Sequence, residues 1–161
     1  MAMRGFDRAL WLVILGLLAT IAGVAVYKAQ PLLNPRPVLS APLDPACDLR
    51  LGPCAARFPG GGELTFEILP STLPVLAPLT LRVEAKGLEA HAAEVDFAGV
   101  DMNMGFNRVS LTAVGGGRFE GGGMLPTCVR DRMDWEAKVL LQGPAGLLAA
   151  PFRFQTTRQP Q

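Results

Sequence analysis

Histidine and tyrosine are almost absent from this sequence, with one of each among 161 residues, and serine occurs only at Ser40, Ser71 and Ser110. That scarcity leaves no nucleophile–base constellation for group transfer and no Cys/His tetrad for zinc. Charge is scarce as well. Charged residues make up 18% of the chain, with 15 Lys+Arg against 14 Asp+Glu. Neither a basic grip on nucleic acid nor a disordered polyelectrolyte tail has such a composition. The three glycine triplets, beginning at Gly60, Gly115 and Gly121, lack the strand-to-helix setting that aims backbone amides at a phosphate. The carboxylate pairs Glu94/Asp96 and Asp131/Asp134 read as solvated faces of strands and turns rather than an acid–base pair. A non-enzyme is expected.

Apolar residues are plentiful, at 50% of the chain, and the longest run of them comes first. From Ala9 to Tyr27 no side chain is charged, and a helix of that length spans roughly 28 Å, close to the thickness of a bilayer's hydrocarbon core. Arg4, Arg8 and the terminal amine precede the run, offset by Asp7, which biases the N-terminus inward. A cleaved signal peptide is the alternative, with Gly23-Val24-Ala25 as its small-x-small site, although the run outlasts a typical signal core. Both readings export the rest of the chain. The expectation is a single-pass protein of the inner (cytoplasmic) membrane, attached by its N-terminal helix, with its C-terminal domain in the periplasm or outside. Setting aside Arg4, Asp7, Arg8 and Lys28, that exported part is near neutral.

Residues 31–62 contain Pro31, Pro35, Pro37, Pro42, Pro45, Pro53 and Pro59. Each proline fixes φ and removes a backbone donor, so this stretch is expected to be an extended stalk rather than a packed element. After Gly62 the pattern changes to period two. Leu64, Phe66 and Ile68 alternate with Glu63, Thr65 and Glu67; Leu79, Leu81, Val83 and Ala85 alternate with Thr80, Arg82, Glu84 and Lys86. Strands with one buried face carry this alternation. Further strands are expected at Ala93–Ala98, Val109–Val114, Arg118–Leu125, Trp135–Leu141 and Ala150–Gln155. Gly115-Gly116-Gly117 should form a hairpin turn, and Gly121-Gly122-Gly123 should mark a bulge or a close backbone approach. The predicted fold is therefore all-β, an immunoglobulin-like antiparallel sandwich of about seven strands preceded by one transmembrane helix. Its divisions are an anchor at 1–30, a stalk at 31–62 and a sandwich at 63–157. Trp135 is expected between the sheets.

Three cysteines in an oxidising compartment leave one unpaired. Cys47 and Cys54 flank a Gly52-Pro53 turn that could join them; a bridge from either to Cys128 is the rival pairing. No C-x-x-C is present, so a thioredoxin-type role has no support.

Sulfur is densest near Val100–Arg108. Met102 and Met104 are two residues apart, so on an extended backbone both project from one face. Met124, Cys128 and Met133 follow in segments that hairpins would bring near. Soft thioether and thiolate ligands favour Cu(I), whereas two methionines on one strand face also serve as core filler. His91 reads as a solvated loop side chain, and Asn107-Arg108 as turn chemistry with an exposed Arg108.

The run from Leu79 to Leu141 resembles the YtkA-like/FixH-like family of small membrane-anchored exported β-domains. The likeness rests on Val95-Asp96-Phe97 leading to Met-x-Met-Gly, then Leu111 and a glycine turn. Arg118-Phe119, Leu125-Pro126 and the closing strand from Trp135 follow, and the N-terminal helix agrees. This resemblance implies copper handling or cytochrome oxidase assembly, with a copper protein or oxidase subunit as partner. No histidine stands beside the methionines here, so the implied site is built from sulfur. The other reading is a non-catalytic structural or interaction module of a membrane complex, with no metal and Met102/Met104 in its core.

Overall fold

The computed structural model describes residues 3–33, 37–102, 104–126 and 132–157, with the backbone alone at 3–9 and 31–33. Two compact units result, Met1–Arg36 and Pro37–Gln161. The first is helix α1, Met3–Leu33. Its segment Leu10–Gln30 is long and apolar enough to cross a membrane, with a mean hydropathy of 2.3. Large apolar side chains from Leu10 to Tyr27 are exposed on it, as on a candidate membrane span or a signal sequence.

The second unit is all-β. Its strands are β1 (Leu39–Ser40), β2 (Cys54–Arg57), β3 (Glu63–Leu69), β4 (Leu79–Lys86), β5 (Ala92–Gly99), β6 (Arg108–Gly115), β7 (Arg118–Gly123), β8 (Arg132–Gly143) and β9 (Gly146–Thr157). They form one 9-stranded order, β1-β9-β8-β5-β6-β7-β4-β3-β2. All seven strands expected from the sequence are present, and β3, β4, β5, β8 and β9 each bury one face. Leu64, Phe66 and Ile68 of β3 are at most 1% exposed, as are Val95 and Phe97 of β5 and Trp135, Val139 and Leu141 of β8.

The ladder is antiparallel except for the β1–β9 pair. Strand β6 joins its two halves. Residues Arg108–Leu111 pair with β5, while Thr112, Ala113 and Gly115 pair with β7 across a register shift. The sheet curls so that its halves face each other: the rings of Phe66 on β3 and Phe152 on β9 meet across the interior at 5.3 Å. Each such aromatic removes enough apolar surface from water to contribute about 2–3 kcal/mol.

Two glycine expectations bear on this curl. Gly115, Gly116 and Gly117 all have positive φ, in the turn between β6 and β7, which only glycine adopts three times running without strain. Gly121 is a close approach, since a Cβ there would stand 2.7 Å from Leu111 Cδ2.

The proline-rich stretch departs from expectation. From Pro37 onward it belongs to the β-unit, and it adds β1 and β2 to the expected strands. Ala41, Leu49 and Phe58 are buried at 4%, 1% and 5% exposure. Prolines prevent ladder pairing at their own positions but leave an extended chain free to lie along a sheet edge. Ala41 N–H donates to Ala149 O at 2.9 Å, fastening the segment to β9. A disulfide between Cys47 and Cys54 fastens its far end to β2, with Cα atoms 5.8 Å apart, inside the normal range for such a bridge. Between them, hydrogen bonds from the Arg50 side chain and then its backbone hold the Asp48 carboxyl below the usual carboxylate range.

The strand directions give the unit two ends. The chain enters beside the β8–β9 turn, where Val38 N–H donates to Leu147 O at 2.7 Å. The opposite end carries the β5–β6 connection, Val100–Asn107, next to the start of β8 through Val100 N–H to Asp134 O at 3.0 Å.

Candidate functional site

The β5–β6 connection holds the densest sulfur, and its shape follows from two glycines. Gly105, with φ +76, turns the chain in a way other residues resist. Gly99 ends β5 in a crowded place. A Cβ there would stand 2.5 Å from Met102 O, 2.7 Å from Met133 Cε and 3.2 Å from Met104 Cγ. The missing side chain is what lets the connection and β8 close over this point.

Met102 and Met104 therefore sit on a loop and not on an extended strand, which corrects the period-two reading. A bend at Asp101–Met102 and the turn at Gly105 end the alternation. Both methionines are half-buried and pack against the core. They also line one open depression of about 460 Å³, together with Gly99, Val100, Asp101 and Gly105. Met133 on β8 reaches the same place from beneath; it is 6% exposed and part of the core. Met124 does not line this depression; it is 52% exposed, and its carbonyl accepts from Asn107 Nδ2 at 3.4 Å. Cys128, Asn103 and Asp131 lie outside the described residues.

Arg108 was expected in solvent and is instead nine-tenths buried, its side chain 10% exposed. It opens β6 in register with Asp96, and its NH2 group donates to Asp96 Oδ2 at 3.1 Å. NH1 lies 3.7 Å from Glu94 Oε2, and the guanidinium covers the Phe106 ring at 5.1 Å. Glu94 and Asp96 are thus half-buried and ion-paired to Arg108, and not a freely solvated face. The sequence does carry a signal for this: Asp96 and Arg108 flank the sulfur segment at the two strand ends that must meet. Asp134 accepts from Gln155 Nε2 at 2.6 Å. His91 is exposed at the entry end, where its N–H donates to Gln142 O.

Among the described residues no three His, Cys, Asp or Glu side chains come together in a metal-holding group. Three methionines meet at Gly99, Met102 through its backbone carbonyl and Met104 and Met133 through their side chains; thioether is a donor type that suits Cu(I) and not harder ions. A larger groove, about 640 Å³, runs between Pro42–Asp48 and Cys54–Arg57 beside the disulfide. Its acidic members are Asp44 and Asp48, and Asp48 is ion-paired to Arg50 at 2.7 Å; no chemistry converges there.

In comparisons with protein-family models, with curated proteins and with solved structures, nothing matches this chain.

Proposed function

We propose that this chain is a membrane-tethered, non-catalytic extracytoplasmic β-domain that binds Cu(I) through Met102 and Met104, with Met133 as a third thioether. Its role would be copper handling or cytochrome oxidase assembly, as the resemblance to YtkA-like/FixH-like domains implies. The observation that supports this reading is the meeting of the Met104 and Met133 side chains at the bare face of Gly99, with Met102 lining the open depression beside it. The disulfide supports an oxidising compartment, and the apolar helix supports attachment to a membrane. Mechanistically the domain would exchange soft ligands with a copper protein or oxidase subunit, forming no covalent bond in the transferred ion's path.

The test is Cu(I) titration of the full chain in detergent micelles, under an inert atmosphere with a mild reductant, against a chromophoric Cu(I) chelator. Stoichiometric competition that is lost in Met102→Leu/Met104→Leu supports the proposal; a wild-type chain that takes no Cu(I) from the chelator ends it.

A second reading is an interaction module without metal. It draws on the packing of Met102 and Met104 against the core and on apolar side chains left in water on and near this loop. Phe106 is 65% exposed, Met124 52% and Val100 40%.

A further inference from the structure

The buried guanidinium of Arg108 is a poor device for stability. Its Nε has no hydrogen-bond partner among the described residues, and the ion pairs with the half-exposed Asp96 and Glu94 must offset the cost of taking a charge and an unpaired donor out of water. An apolar cross-strand pair would supply the same rung without that cost. What an apolar pair lacks is direction, and the position of this rung makes direction matter.

Asp96 and Arg108 form the end rung of the β5–β6 ladder. Beyond it the Phe97 N–H to Asn107 O bond, at 2.9 Å, joins the two strands before the connection begins. Asp96 stands three residues before Gly99, and Arg108 immediately follows Asn107. The guanidinium also lies over Phe106, so one side chain grips the ladder by hydrogen bonds and the connection by its aromatic. We infer that the Asp96–Arg108 pair is a positioning clasp, which fixes the two ends of the methionine connection in the register that brings Met102 and Met104 to Gly99. Its consequence for metal rests on the Cu(I) reading; its effect on the loop does not.

The test pairs two measurements on the full chain in micelles, hydrogen exchange and Cu(I) competition, for R108Q, R108K, D96N and the swap D96R/R108D. The expected result is faster exchange of the amides at 100–106 in R108Q and D96N, with β8 and β9 unchanged. Cu(I) affinity should fall by about tenfold, the scale seen when groups that orient metal ligands are removed. Lysine lacks the planar fork, so R108K should recover less than half of the lost protection, and the swap should recover more. Unchanged exchange at 100–106 in R108Q overturns the clasp, as does a uniform loss of protection that includes β8 and β9. If the wild-type chain takes no Cu(I), the functional reading fails and the exchange data alone decide the clasp.

Discussion

Trp135 donates its indole N–H to Thr156 Oγ1 at 2.9 Å across the β8–β9 ladder, with the indole fully buried and Thr156 only 7% exposed. The indole also stacks on Phe154, with centroids 6.5 Å apart and planes within 11°. A hydroxyl among apolar neighbours is explained by this bond: the largest buried side chain has one polar atom, and Thr156 satisfies it. Thr156→Val keeps the shape and removes the acceptor, leaving the indole N–H orphaned. The expected cost is about 1–3 kcal/mol, read as a lower Tm by near-ultraviolet circular dichroism of the full chain. Thr156→Ser, which retains an oxygen, should lose less.

The Cys47–Cys54 bridge holds the proline-rich segment, with Leu49 in the core between them. Cys47→Ser/Cys54→Ser should destabilise the β-unit by about 2–3 kcal/mol, the loop-closure contribution of so short a loop. A non-reducing peptide map should recover the same 47–54 crosslink from wild-type and from Cys128→Ser. Recovery of Cys128 in a crosslinked peptide would refute the pairing.

Strands β3, β4 and β5 are legible in the sequence because each buries every second residue, and β8 and β9 keep that alternation over most of their length; β6 and β7, with one buried residue each, are marked instead by the glycine turn between them. The proline-rich stretch is not legible in that way. Its buried residues, Ala41, Leu49 and Phe58, follow no period, and Leu49 sits between Asp48 and Arg50, where pattern alone predicts solvent. The sulfur segment is plain in the sequence, but its backbone is a loop and not the extended chain that the spacing suggests. Met-x-Met spacing says two residues share a face only if the chain is extended, and nothing local announces that Gly99 is crowded while Gly105 turns. The burial of Arg108 is hidden for a related reason: it depends on a partner twelve residues away, across a ladder register that one segment does not reveal.

Gly99 and Gly116 separate packing from backbone strain. A methyl at Gly99 would strike Met102 O and Met133 Cε at 2.5 and 2.7 Å, the first of them rigid backbone, whereas Gly116 faces open space at φ +64. Gly99→Ala should therefore cost about 1–3 kcal/mol through overpacking and displace the methionine connection, lowering Cu(I) affinity with it. Gly116→Ala should cost about 1–2 kcal/mol through conformation alone and leave Cu(I) binding as in the wild type. Thermal melts and Cu(I) competition on the two variants check both halves.

Met133 is where the two readings of the site make opposite demands. As core filler it should tolerate Met133→Leu, a volume-conserving exchange costing less than about 1.5 kcal/mol, with no other consequence. As a thioether ligand it should lose Cu(I) affinity on the same substitution while Tm barely moves, because leucine restores the packing but donates no lone pair. Met124, 52% exposed and not among the residues lining the depression, is the internal control, and Met124→Leu should change neither quantity. Affinity and Tm measured on one preparation of each variant separate the cases. A Met133→Leu chain that competes for Cu(I) as the wild type does would confine the ligands to the Met102–Met104 connection and leave Met133 as the floor on which it rests.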